Sequence, residues 1–256
     1  MISIALALAL AAAAQQARPE DTEQWTPVPP VVTPGPLVSP APPSDAVVLL
    51  GPKTGLKEWA SMDGKDAGWI VNKDGSVTVN KKAGDIKTRR NFTDYQLHLE
   101  WKVPTGVTGE GQGRGNSGLF LAAVDGNAGG YELQIVDSYV NKTYVNGQAA
   151  SMYKQSPPLV NAMRPPGQWQ TYDVVWHAPT FNADGSLKTP ARVTAFHNGL
   201  LVQDNYVLKG DTPYIGAPKY TPHGPAPIKL QAHGDPSPPI SFRNIWVREL
   251  PATEAR

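Results

Sequence analysis

Between residues 46 and 250 the chain alternates apolar and polar side chains with a period of two, in short runs. Leu97, Leu99, Trp101 and Val103 interleave with His98, Glu100 and Lys102. Tyr172, Val174 and Trp176 interleave with Thr171, Asp173 and Val175, and Val193 and Ala195 with Arg192 and Thr194. Over 242–247, Phe242, Asn244 and Trp246 alternate with Arg243, Ile245 and Val247. Successive side chains of an extended strand point to opposite faces, so this period describes strands with one buried face. Gly, Pro, Asn or Asp bounds each run, and no twelve-residue stretch carries the helical period. Asn198-Gly199 predicts a tight hairpin, because both residues tolerate the positive φ such a turn demands. Residues 182–186 and 73–76 predict two further turns. The chain therefore reads as all-β, with two antiparallel sheets packed as one β-sandwich. No compositional break divides 46–250, so it counts as one domain, followed by a short tail at 251–256.

The ends differ from this pattern. Residues 1–17 open with an apolar run, MISIALALALAAAA, and resemble a secretory signal or a short membrane anchor, although no Lys or Arg precedes the run. Fourteen helical residues span about 21 Å, less than the roughly 30 Å hydrocarbon core of a bilayer. Residues 18–45 follow, and nine prolines fall within 18–43. That density forbids a helix or a central strand and predicts an extended, semi-rigid linker, or an arm laid along a partner with Trp25 and Val31-Val32 as its contacts. A net charge of +1 gives no field suited to nucleic acid. The absence of cysteine excludes disulfides, thiolate metal sites and a cysteine nucleophile.

Three segments carry candidate chemistry. In YELQIVDS (131–138), Glu132 and Gln134 share one strand face, and Asp137 breaks the parity, so it joins Glu132 only through a bulge or at the strand's end. Two carboxyl groups in unlike surroundings can divide acid and base work on a sugar. The glycine-rich run GQGRGNSGLF (111–120) lacks both the Rossmann context and the Walker ending. Its small residues allow a ligand near the backbone, with Arg114 and Asn116 as hydrogen-bonding groups. In QAHGD (231–235), His233 sits at a strand end before a glycine, with Asp235 placed to orient it or to share a metal. Lys154 and Gln155 are further polar candidates, and Trp69 is a candidate stacking platform for a sugar ring. No histidine pair has helical metal-ligand spacing, so the sequence names no cofactor but leaves room for a divalent cation.

Several of these stretches, in order, resemble one family, the 3-keto-disaccharide hydrolase domain, formerly domain of unknown function 1080. They are WASMDGKDAGW (59–69), DIKTRRNFTDYQLHLEW (85–101), NSGLFL (116–121), YELQIVDS (131–138), NAMRPPGQWQTYD (161–173), PARVTAFHNGLLVQDN (190–205) and the QAHG and FRNIWV elements. The resemblance implies a concanavalin- and glucanase-like jelly roll. It also implies cleavage of 3-keto-glycosides, with an oxidised sugar or glycan as ligand. The ketone acidifies the C2 hydrogen, so elimination asks for a base, an acid for the C1 leaving group, and a stabiliser for the C3 oxygen. Glu132 and His233 would transfer protons, Asp137 would tune them, and Arg114, Lys154 or a cation would hold the enolate. Relatives commonly have Asp in the place of Ala232. Two other readings stand beside an exported, periplasmic or extracellular enzyme. One is a non-catalytic accessory subunit docked to membrane proteins through residues 1–45; the other is a carbohydrate-binding module.

Overall fold

A computed structural model of the chain describes residues 16–124 and 129–251. The signal-like or anchor segment 1–17 lies outside these residues except for its last two positions, and of the 251–256 tail only Pro251 is included. Among the described residues no helix is long and apolar enough to cross a membrane.

The strands, in chain order, are β1 (Val47–Leu50), β2 (Trp59–Ser61), β3 (Ile70–Val71), β4 (Val77–Thr78), β5 (Ile86–Thr88), β6 (Tyr95–Lys102), β7 (Ser117–Val124), β8 (Gly129–Ile135), β9 (Trp169–His177), β10 (Thr180–Phe181), β11 (Leu187–Thr189), β12 (Arg192–His197), β13 (Leu200–Val207), β14 (Lys229–Leu230) and β15 (Ser241–Glu249). The larger sheet runs β13-β12-β9-β6-β15-β4-β3, with β1 added against β15. The smaller runs β2-β5-β14-β7-β8, and β10 and β11 pair as a separate ribbon. All these pairings are antiparallel. The Asn198-Gly199 turn joins β12 to β13 with both residues at positive φ (52° and 81°), the 182–186 turn closes the ribbon, and the 73–76 turn joins β3 to β4.

The apolar faces meet between the sheets. Leu97, Leu99, Trp101, Tyr172, Val174, Trp176, Val193 and Ala195 of the larger sheet are buried in one cluster with Leu119, Leu121, Tyr131, Leu133 and Ile135 of the smaller. Tyr131 and Trp176 sit with ring centroids 5.1 Å apart. Two tyrosines bridge the layers through their hydroxyls. Tyr95 donates to the Leu121 carbonyl (2.5 Å) and Tyr172 to the Gln134 carbonyl (2.7 Å). A phenol suits such a place, because its ring fills the core while its one polar atom finds a backbone acceptor.

The structure departs from strict alternation at β15. Phe242, Ile245 and Val247 join the core cluster, whereas Trp246, also buried, stacks on His98 apart from that cluster. The register shifts between Arg243 and Trp246, and Asn244 takes φ 45°. This bulge adds one residue and reverses the parity of everything after it. It also aims the Asn244 amide at the Glu100 carboxylate (2.8 Å) and the Pro40 carbonyl (3.1 Å).

That last contact involves the Pro-rich segment, which is laid on the chain's own domain. Val32 donates to the Asn161 carbonyl (3.0 Å), and Asn161 donates to that of Pro30 (2.9 Å). The Arg164 guanidinium reaches the Gly35 carbonyl, and Ser39 donates its hydroxyl to Glu100. Glu100 also receives Arg243 (2.7 Å), while His98 bonds to Asp173 (2.7 Å). Burial opposes the charge on both groups, yet these partners raise His98 to about 9 and lower Glu100 to about 2. The polar face of β6, which alternation assigns to solvent or to a second layer, thus has the arm as that layer.

Candidate active site

On the smaller sheet, the face turned away from the core carries Gly118 and Phe120 of β7, Glu132 and Gln134 of β8, and Lys229 of β14. Phe120 lies opposite both Glu132 and Lys229, and Gly118 lies opposite Gln134. Gly118 leaves room for the acid, since a Cβ placed there would stand 2.4 Å from Glu132 Oε1. Loops rise around this face and form a cleft of about 740 Å³. Its walls include Gln112 and Asn116 from the glycine-rich loop, Tyr144, Tyr153, Thr212 and Tyr214 from two other loops, and His233 and Asp235 past β14.

Glu132 is 6% exposed, and its burial raises its carboxyl to about 8, with the Lys229 ammonium opposing the rise and Asp85 adding to it. It therefore holds its proton at neutral pH, as a general acid must. Lys229 is itself buried and held below the usual lysine range, with its ammonium 3.7 Å from the Phe120 ring centroid and 3.6 Å from Asp85. Across the cleft, His233 Nδ1 stands 3.0 Å from Asp235 Oδ2. The other Asp235 oxygen accepts from Ser237 and lies 3.2 Å from the Lys81 ammonium. Burial works against the charge of Asp235, but these donors hold its carboxyl below the ordinary value. Nδ1 also receives the Asp235 amide (3.2 Å), so both Asp235 contacts fall on this nitrogen and Nε2 is the ring nitrogen left for a ligand.

Of the residues expected at the site, the structure brings Glu132, Gln134, Asn116 and His233 to one cleft. Gln134 donates to the Gln112 side chain (2.8 Å), and Asn116 donates to the Gln112 carbonyl (2.8 Å). The other five lie elsewhere. Asp137 follows the end of β8 and is fully buried, with Oδ2 2.7 Å from Arg114 Nε and Oδ1 accepting the Tyr139 amide. This pair ties the glycine-rich loop to the strand end and puts neither charge on the cleft wall. Lys154 gives its ammonium protons to the carbonyls of Pro19 (2.7 Å) and Tyr214 (2.8 Å). Gln155 bonds to the backbone of Lys209 and Gly210. Trp69 is a core residue, stacked on Phe242 and bonded to the Gly84 carbonyl. Sequence reasoning passed over the tyrosine wall, whose members come from separate loops, and Lys229. The available signal for Lys229 was a lysine placed between Ile228 and Leu230 in a strand.

No three His, Asp or Glu side chains converge as a metal site among the described residues. His233 and Asp235 are occupied with each other and with Lys81 and Ser237. These residues do not fit a divalent cation.

A crystal structure of a Parabacteroides distasonis protein assigned as a glycosyl hydrolase is 50% identical, with TM-score 0.79, and the match covers 96% of this chain and all of that one. This likeness takes in most of the Pro-rich segment as well as the domain. Two further P. distasonis structures with the same assignment share the fold at 19% and 20% identity, with TM-scores of 0.57 and 0.56. Each covers 80% of this chain, and the match takes in 94% and 99% of their own lengths. No curated protein matches the chain. Residues 46–248 match the family described as a 3-keto-alpha-glucoside-1,2-lyase-like domain, and the chain belongs to that family.

Proposed function

We propose that the protein is an exported enzyme that cleaves 3-keto-glycosides by elimination across C1 and C2, followed by addition of water. The single observation that carries this reading is the placement of Glu132, a carboxyl buried on a cleft that is also lined by a histidine–carboxylate pair, where burial raises it to about 8. His233 Nε2 takes the C2 proton, whose acidity comes from the neighbouring ketone. The electron pair moves into the C1–C2 bond as the C1–O bond breaks, and Glu132 gives its proton to the departing oxygen. Water then adds across the double bond, its oxygen to C1 and a proton to C2, which completes hydrolysis. Arg114 and Lys154 are committed to Asp137 and to two carbonyls, and the Asn116 amide nitrogen to Gln112, so the second N–H of the Gln134 amide is the donor and the Asn116 amide oxygen the acceptor offered to the sugar. Tyr144, Tyr153 and Tyr214 offer apolar ring surface to the sugar.

The test is release of the aglycone from a 3-keto-glucoside by the purified chain. Glu132→Gln removes the acid and should lower kcat by about 10²–10⁴. Activity of the unaltered enzyme should fall as pH rises through about 8. A Glu132→Gln variant with full turnover would sink the reading. Binding of the glycoside without turnover by the unaltered chain would favour the carbohydrate-binding module instead. Export is checked by the intact mass of the native protein, which should begin near Gln15 or Arg18.

A further inference from the structure

The cleft has a wall that does not come from the family domain. Glu23, upstream of the matched residues 46–248, lines it together with Glu132 and Asp235. Its backbone is held on both sides. The Asn146 side chain accepts the Gln24 amide (2.9 Å) and donates to the Thr22 carbonyl (2.9 Å), and Val145 donates to the Gln24 carbonyl. Trp25 packs edge-on against Tyr144, with centroids 6.2 Å apart. The buried Lys154 ammonium joins the Pro19 carbonyl to that of Tyr214, so one cation ties the arm to the opposite loop.

The charges on the lining are one-sided. Glu23 and Asp235 are its carboxylates, Glu132 being held as the neutral acid, and neither lysine nor arginine lines it. The Glu23 carboxylate is half-buried and accepts no hydrogen bond among the described residues, although its charge acts on the Lys154 ammonium. Asn116, 7% exposed on the same lining, has an amide oxygen with no protein partner. Acceptors without partners at a ligand surface ask for donors from the ligand, as hydroxyl or ammonium groups are, and a carboxylate or sulfate would meet like charge.

We propose that residues 18–32 form an integral wall of the substrate cleft and that Glu23 on this wall selects neutral or amino sugars against anionic ones. The proposal rests on the catalytic reading for its substrate but concerns a residue that takes no part in proton transfer. The experiment compares kcat/KM for a 3-keto-glucoside and a 3-keto-glucuronide, using the full chain. The unaltered enzyme prefers the glucoside. Glu23→Gln shifts the ratio toward the glucuronide by about tenfold, the size expected for one unit charge acting over a few ångströms of partly screened space. Added salt narrows the preference of the unaltered enzyme. Asn146→Ala, which frees the arm without touching Glu23, shifts the ratio in the same direction. An unchanged ratio in both variants overturns the proposal. If the unaltered chain turns over neither substrate, the catalytic reading falls. The wall is then judged by calorimetric binding of methyl glucoside and methyl glucuronide, where the same tenfold shift supports it. An equal affinity for both sugars, or none for either, overturns it.

Discussion

Replacing Glu132 by Gln should make the protein more stable, and more so the higher the pH. The carboxyl is 6% exposed and is raised from 4.5 to about 8 by its burial. Below pH 4.5 folded and unfolded chains both carry the proton, so the residue adds no pH dependence. Between 4.5 and about 8 the unfolded chain releases its proton while the folded chain keeps it, and stability falls as pH rises. Above about 8 both forms are ionised and the loss is complete. At about 1.4 kcal/mol for each pH unit, the full loss is roughly 5 kcal/mol, and the part falling between pH 5 and 9 is roughly 4 kcal/mol. A glutamine of the same shape keeps the packing and does not titrate. Groups that do not feel Glu132 titrate alike in both proteins and cancel in the comparison, which leaves Glu132 and its neighbour Lys229. Denaturant unfolding of both proteins at pH 5 and pH 9 reads the difference directly. At pH 5 the two should lie within about 1 kcal/mol of each other, and at pH 9 the variant should lead by roughly 4 kcal/mol, or roughly 10 °C in Tm. A gap that is equal at the two pH values would refute the reasoning. It would mean that Glu132 is solvated or paired in the folded protein and is not held there as an acid.

Three other substitutions separate the site from its supports. Gly118→Ala puts a Cβ 2.4 Å from Glu132 Oε1; it should reduce kcat at least tenfold and alter the pH limb near 8, which a pH–rate profile will show. Arg114→Leu leaves the Asp137 carboxyl buried without its partner; it should cost about 3–5 kcal/mol in chemical denaturation, whereas Arg114→Leu with Asp137→Asn should recover part of that loss. Trp69→Ala empties a core position beside Phe242; it should lower stability by about 3–5 kcal/mol in denaturant unfolding, with KM measured below the transition unchanged.

What the sequence made legible follows the range of the rule applied to it. Alternation is a rule about neighbours, and it marked β6, β9 and β12 and the shared face of Glu132 and Gln134, while the Asn-Gly pair marked the turn between β12 and β13. It could not place Asp137, because its parity breaks where β8 ends, and a residue beyond a strand answers to whatever packs on it. Here that is Arg114, 23 positions away in sequence. It failed at β15 for a related reason. An Asn at φ 45° reverses the parity, and an Asn inside a strand pattern does not announce that conformation. The tyrosine wall and Lys229 depend on loops and strands brought together from distant parts of the chain, so no local period marks them.

The Pro-rich segment shows the limit most clearly. Its composition forbids a helix, and it is extended, but composition does not choose the surface on which an extended chain lies. That choice follows from the polar groups left by the strands beneath. On the outer face of the larger sheet, His98 and Glu100 cannot be buried without partners, and the arm supplies Ser39 and the Pro40 carbonyl to the network they share with Asn244. Behind the tyrosines of the cleft, the Lys154 ammonium is satisfied by the arm's Pro19 carbonyl. A segment that completes buried charges at two separate places belongs to the folded unit. Its Pro-rich sequence keeps it extended between those places at little entropic cost. On this argument a chain beginning at residue 46 would lose more than a tail. It would expose Glu100 on one face, release Lys154 on the other, and remove one wall of the cleft.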